Sequence, residues 1–432
     1  MTSSQNSRAL IYFVSPYGLA MVSYLFFLLS CLIPPSTYSA YMREPDFMFL
    51  DPATILFYTL CVASFVAGAW LIDWLSPSVL VDYRLKTRIS PMLFLLAPLT
   101  LGVAGTVIST ILLIRQIPNL FILLFSQRGS EIKEIMALQV EGRFALAPLL
   151  LTAVIWWASW RRPQLEMTRW QKKLTSLYLF AATLAVIASS VITVSRNLLM
   201  PTVAGLGILY MIRKAVQGTV SNTAFLRGAI VTGLSVCLLF FGLSFLRGTS
   251  DWDELIHALV GYTAASYNRL AAVVNDQLHF PYAGEGLYLS SVVTHTRLLP
   301  VSYILTPPDD LSMWGSEFGA VSEANLDSDL IWPGAFGQVF SDLRWYSLLF
   351  IFGYGVLYGM VWHSFRRGQI FGIILYPWCG FCVLFWCGTN YLLDSPIEPI
   401  ILAAFILMAY EHICISARKP ATGLTWTPPT LR

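Results

Sequence analysis

VITVSRNLLMPTVAGLGILY, residues 191–210, decides how this chain is read. An arginine, Arg196, stands inside a run that is apolar from about Leu174 to Ile212. Placing an arginine at the centre of a bilayer costs roughly 3 kcal/mol or more on insertion scales. The run is also too long for one membrane span, which needs about 20 apolar residues. Both facts are met if the chain turns at Ser195–Arg196–Asn197 and re-enters the membrane. Arg196 then lies at the membrane surface, at the tip of a tight helical hairpin. Pro201 falls in the first turn of the second helix, where a missing N–H costs little.

The whole chain supports a membrane reading. Its 432 residues are 56% hydrophobic and 12% charged, whereas soluble domains carry about 25% charged residues. Ten apolar runs read as spans, at roughly 10–33, 53–75, 91–114, 144–160, 174–194, 198–212, 225–246, 345–365, 370–392 and 397–415. The expected fold class is therefore all-α, a polytopic integral membrane protein of about ten transmembrane helices. Three regions follow: 1–246 as a first bundle of seven spans, 247–344 as one large loop, and 345–432 as the last three spans and a tail. A cleavable signal peptide is not expected, because Ser7-Arg8-Ala9 lacks a basic stretch followed by a small-residue cleavage site.

Charge distribution orients the spans. With the N-terminus cytoplasmic, the inner segments hold 17 of the 27 basic residues and only 4 of the 24 acids, Asp73, Asp82, Glu166 and Glu411. Both termini are then expected in the cytoplasm, and the outer face is acidic. The few outer arginines cluster at helix ends. Arg143 precedes the fourth span, Arg196 sits at the hairpin, Arg247 follows the seventh span and Arg344 precedes the eighth. The positive-inside tendency disfavours each of them. A planar guanidinium gives bidentate hydrogen bonds to phosphate oxygens. The group thus points to an anionic ligand at the outer interface. The bland alternative is snorkelling to lipid phosphates or capping of helix C-termini.

Two outer segments are long enough to fold. In 115–143, Ile132, Ile135, Met136 and Leu138 give a short amphipathic helix. In 247–344, "DWDELIHALVGYTAASYNRLAAVV" reads as helix, with Asp251 as N-cap and Glu254 three residues on. The stretch "GEGLYLSSVVTHTRLLPVSYIL" again reads as amphipathic. "TPPDDLSMWGSEFGAVSEANLDSDLIWPG" reads as an ordered aromatic loop, in which Trp314, Trp332 and Phe318, with the nearby Tyr303, could stack on sugar faces or form an interfacial belt.

Other chemistries find little footing. No phosphate-cradling glycine motif occurs, so neither a nucleotide nor a nucleic acid is an expected partner. No zinc-type His/Cys cluster occurs. The pairs Asp251/Asp253 and Asp327/Asp329 have DxD spacing, which chance supplies in so acidic a loop. No metal or other cofactor is expected. The seven cysteines lie in or at the end of apolar runs, which argues against a disulfide framework. His295 is flanked by polar residues, and a general base near neutral pH is one reading of it.

The stretch "WPGAFGQVFSDLRWYSLLFIFGYGVLYG" (332–359) resembles the segment that closes the large periplasmic loop of oligosaccharide repeat-unit polymerases, the Wzy-like O-antigen polymerases. Asp342 matches the family's aspartate, while Leu343-Arg344 departs from its aromatic-Gly pair. "VSRNLL" (194–199) is similar to the family's turn between two helices, and "FLRG" (245–248) to the opening of its large loop. The resemblance implies a GT-C-like glycosyltransferase in the bacterial inner membrane, with a periplasmic active site. Its substrates would be a glycan donor and an acceptor repeat unit, both linked to undecaprenyl pyrophosphate. The acceptor hydroxyl attacks the donor's anomeric carbon and lipid pyrophosphate leaves. Arg143, Arg196, Arg247 and Arg344 would bind the pyrophosphate, and Asp342, Glu317 or His295 would take the proton. The family allows a chain-length regulator protein as a further partner. An O-antigen ligase shares the same layout. A single-sugar GT-C transferase would use first-loop acids such as Glu44, Asp46 and Asp51. A transporter or flippase would show repeats and midplane charges, and neither is evident.

Overall fold

The computed structural model describes residues 11–77, 80–117, 119–129, 131–132, 135–136, 146–216, 222–247, 251–289, 310–389 and 396–420. The helices are α1 (Pro16–Cys31), α2 (Pro35–Met42), α3 (Pro52–Leu75), α4 (Pro91–Gln116), α5 (Leu120–Phe125), α6 (Leu146–Arg161), α7 (Arg169–Ile192), α8 (Arg196–Val216) and α9 (Asn222–Phe245). There follow α10 (Trp252–Val260), α11 (Ser266–Val274), α12 (Asp310–Glu323), α13 (Gly334–Leu343), α14 (Ser347–Arg366), α15 (Ile370–Leu384) and α16 (Ile397–Cys414). Two short strands, β1 (Tyr83–Thr87) and β2 (Ile415–Pro420), pair antiparallel.

Each of the ten apolar runs contains a helix. Among the described residues, seven helical stretches are long and apolar enough to cross a membrane, and an eighth if α1 and α2, bent by 94°, count as one span. The protein is an all-α, multi-pass membrane protein. Among the described residues α6 and α15 cover 16 and 15 residues, and these are mostly buried inside the bundle.

The surface is inside-out relative to a soluble protein. Leu25, Phe26, Leu101, Leu177, Leu238 and Leu357 are exposed on helix flanks, where water would disfavour them but lipid would not. Hydroxyls within the helices are satisfied locally. Thr59, Thr106, Thr202 and Ser244 donate to the carbonyl four residues back, at 2.6–2.9 Å. Prolines at the first helical position start α1, α2, α3 and α4, where no N–H is needed. A Thr168/Gln171 capping box starts α7.

The loops gather at two ends. β1 pairs with β2, Leu85 bridges Leu165, and the Val81 N–H bonds the Arg366 carbonyl at 3.0 Å. These segments carry most of the basic residues, and we call this the basic end. Tyr17 donates to Asp73 at 2.7 Å, so the first and last described segments both lie there. Residues 43–51, 247, 261–289 and 326–344 gather at the opposite, acidic end.

Each end is tied by a buried ion pair. At the basic end, Arg161 donates to both Glu411 oxygens, at 2.6 and 2.9 Å, and Trp157 and Arg418 bond the same carboxylate. At the acidic end, Arg269 on α11 grips Glu44 in the same bidentate way, at 2.9 and 3.1 Å. Tyr38, Asn268 and the Asp327 N–H complete that carboxylate's shell. Both pairs satisfy the rule that a buried charge must be matched and hydrogen-bonded.

Candidate functional site

The turn between α7 and α8 comprises Thr193, Val194 and Ser195, two residues earlier than the expected Ser195–Arg196–Asn197. Arg196 is therefore the first residue of α8 rather than the hairpin tip, and it is buried at 7% exposure. The cause is visible in the backbone. Val194 adopts φ 48°, unusual for a β-branched residue. Its side chain is held in a small apolar cluster with Leu113, Ile117, Leu120, Leu124 and Ile132. Ile132 thus comes from the segment read as amphipathic, and Ile135 and Met136 pack against the same cluster; Leu138 lies outside the described residues. Packing over-determines the strained turn, as such backbone requires.

The Arg196 guanidinium lies 4.0 Å from the Phe240 ring centroid and 4.7 Å from that of Tyr262. Its Nη2 donates to Ser244 Oγ at 2.6 Å. Tyr262 belongs to a π-helical turn, Gly261–Ala265, between α10 and α11. Such turns re-aim the residues they carry. The Tyr262 ring also packs on Trp332 at 5.5 Å. Arg247 reaches back to the same hairpin, where its Nη2 donates to the Val194 carbonyl at 2.9 Å. Two of the four expected arginines, and one of the expected aromatics, therefore meet at one corner of the acidic end.

Arg247 differs from four other partly or fully buried arginines. Arg161, Arg213, Arg269 and Arg366 each pair with a carboxylate. Arg247 makes no ion pair among the described residues, and its buried Nε has no hydrogen-bond partner there. A cation held by a carbonyl retains its capacity for an anion.

Asp342 and Glu317 form a second group. The Asp342 carboxylate accepts from the backbone N–H groups of Gly284, Tyr288 and Leu289 at 2.9–3.0 Å. Gly284 and Gly286 take φ of 87° and 81°, which a side chain would resist. Asp342 thus orders the loop 281–289. That loop sets the Tyr288 phenol beside Glu317 on α12. Glu317 is buried, and loss of hydration pushes its carboxyl up to about 7, against an ordinary 4.5. It can hold or take a proton near neutrality, as a general base or acid must. The folded state binds this proton more tightly than the unfolded chain. Stability is then full below about pH 4.5 and is lost as pH rises towards about 7. Thermal midpoints of the wild type are expected to fall across that window, and those of Glu317→Gln to fall less. Equal slopes would exclude a raised Glu317.

The remaining expected residues are placed apart or lie elsewhere. Arg344 sits at the break between α13 and α14 with φ 50°, and pairs with Asp276 at 2.8 Å on the surface. Trp314 and Phe318 are exposed on α12. Arg143, His295 and Tyr303 lie outside the described residues. Asp251 does stand at the N-cap of α10, but without a side-chain capping bond. The first-loop acids are engaged in structure. Glu44 is paired with Arg269, Asp51 caps α3 and accepts from Asn275, and Asp46 accepts from the Met48 and Phe49 N–H groups. In the Asp327/Asp329 pair, Asp327 bonds His257 at 3.0 Å and the Asp329 N–H.

Sequence reasoning did not find Ser244, Phe240, Tyr262, Tyr288 or Arg269. The first three lie on α9 and the π turn, remote in sequence from Arg196. Arg269 carried a usable signal, a lone cation in an otherwise apolar helical face. Comparison with protein-family models, curated proteins and solved structures finds no match to this chain.

Proposed function

We propose that this membrane protein is a GT-C-like glycosyltransferase, an oligosaccharide repeat-unit polymerase of the Wzy-like kind. In this reading its ten helical segments are ten spans in a bacterial inner membrane, with the acidic end outside. The observation that carries the reading is the convergence of Arg196 and Arg247 on one turn at the acidic end. A pyrophosphate leaving group needs that kind of cationic, partly desolvated corner. Trp332 and Tyr262 beside it offer ring faces to a sugar.

The chemistry balances without a cofactor. The acceptor hydroxyl forms a bond to the donor's anomeric carbon while the bond from that carbon to the pyrophosphate oxygen breaks. Lipid pyrophosphate leaves with the electron pair, and the arginines offset its growing charge. The hydroxyl proton passes to a base, for which Glu317 is the best suited described residue. The engagement of Glu44 and Asp51 in structural bonds weighs against a single-sugar transferase that would use the first-loop acids.

The test is glycan length on the lipid carrier or on lipopolysaccharide in a null strain carrying Arg196→Ala, with membrane levels matched. The wild type is expected to restore a ladder, and the variant to leave one repeat unit per lipid. A null strain that keeps polymer on its carrier but cannot transfer it would replace polymerase with ligase. A full ladder from the variant would remove Arg196 from the site.

A further inference from the structure

The two-stranded ribbon at the basic end has two unlike faces. Leu85 is buried against the bundle, and its cross-strand neighbour Arg418 turns to Glu411 at 2.8 Å. The opposite face carries Arg84, Lys86 and Lys419, all exposed. Register places Arg84 directly across from Lys419. Like charges directly opposite on a ribbon repel. None of the three makes an ion pair among the described residues. The face therefore carries an uncompensated repulsion that an external anion would relieve.

The ribbon's depth identifies that anion. β2 begins at the residue after Cys414, where α16 ends, and β1 ends at Thr87, just before α4 starts at Pro91. Both strands are juxtamembrane. Trp70 and Trp74 stack on each other and are exposed at the same end of α3, as aromatic residues do at headgroup level. We propose that the Arg84–Lys86–Lys419 face is a binding surface for anionic glycerophospholipid headgroups, such as phosphatidylglycerol, of the protein's own membrane. This does not depend on the glycosyltransferase reading. Each basic side chain near an anionic lipid surface raises affinity about fivefold.

The test uses the purified full chain in bilayers and spin-labelled lipids. The wild type is expected to select phosphatidylglycerol over phosphatidylcholine at its perimeter several-fold, and to lose that selectivity in high salt. Arg84→Gln/Lys86→Gln/Lys419→Gln is expected to lose most of it. Arg169→Gln/Lys172→Gln/Lys173→Gln, on α7, should lose far less. A second readout differs between two lipids. Arg84→Gln alone relieves the Lys419 repulsion, so its Tm should exceed wild type in pure phosphatidylcholine. In phosphatidylglycerol, where the wild type gains more, that advantage should vanish or invert. The inference is overturned if the triple variant keeps the wild-type lipid preference, if the wild type shows none, or if Arg84→Gln has the same effect in both lipids.

Discussion

Glu44→Gln is expected to destabilise the protein by about 3–5 kcal/mol, the cost of leaving a buried charge without its partner. Arg269 is fully buried and donates to both Glu44 oxygens. Its other bonds go to the Ala265 and Asp327 carbonyls, which carry no formal charge. Gln keeps the volume of Glu and part of its hydrogen bonding, so the loss reads the charge. The pair also clamps three chain segments, residues 43–51, α11 and the stretch around Asp327. Losing it should therefore loosen the acidic end before the membrane bundle. Thermal unfolding in detergent, followed with limited proteolysis at the acidic end, measures both. Glu44→Gln/Arg269→Met removes both charges and is expected to recover much of the loss, because no buried charge is then left without its partner. A single variant within about 1 kcal/mol of wild type would mean that Arg269 is solvated.

Gly355→Val is expected to prevent close contact between α14 and α3, with a loss at or beyond the upper end of the ~1–3 kcal/mol typical of overpacking. A Cβ built on Gly355 would overlap the Phe65 carbonyl, and one on Gly68 would overlap the Phe352 carbonyl. Gly359 approaches the Ala69 backbone in the same way. The spacing from Gly355 to Gly359 is the small-residue pattern that lets two helices meet backbone to backbone within a bilayer. Backbone cannot swing aside as a side chain can, so the helices themselves must move. Gly353 is the control, since a Cβ there meets nothing within 4 Å. Gly353→Val should leave Tm near wild type while Gly355→Val lowers it sharply. Similar behaviour of the two variants would show that α3 and α14 separate freely.

Much of the fold was legible because lipid imposes a simple demand. Every backbone polar group in hydrocarbon must be bonded within its own segment, so long apolar runs become helices. Split by its arginine, the 174–212 run read as two helices, and it folds as α7 and α8. The turn was misplaced because its position depends on Val194, whose strained backbone is set by contacts with α4 and α5. Periodicity carries no information about such contacts. Hydropathy also cannot separate a helix that faces lipid from one that faces other helices, and α6 and α15 are of the second kind.

The candidate site was legible only in part. Arginines that violate the charge rule marked themselves, and two of them meet. The sequence could not say which cations of the acidic end are already matched. Arg344 and Arg269 find carboxylates in Asp276 and Glu44, which stand 68 and 225 residues away, whereas Arg247 finds a carbonyl. Composition and charge order by themselves determined a multi-pass helical membrane protein with one basic and one acidic end, because transfer free energies act residue by residue. The tertiary structure alone decided which charges are paired, which glycines are contacts, and where Arg196 points. Those outcomes rest on close approaches between distant segments, and only the packed chain brings such segments within bonding distance.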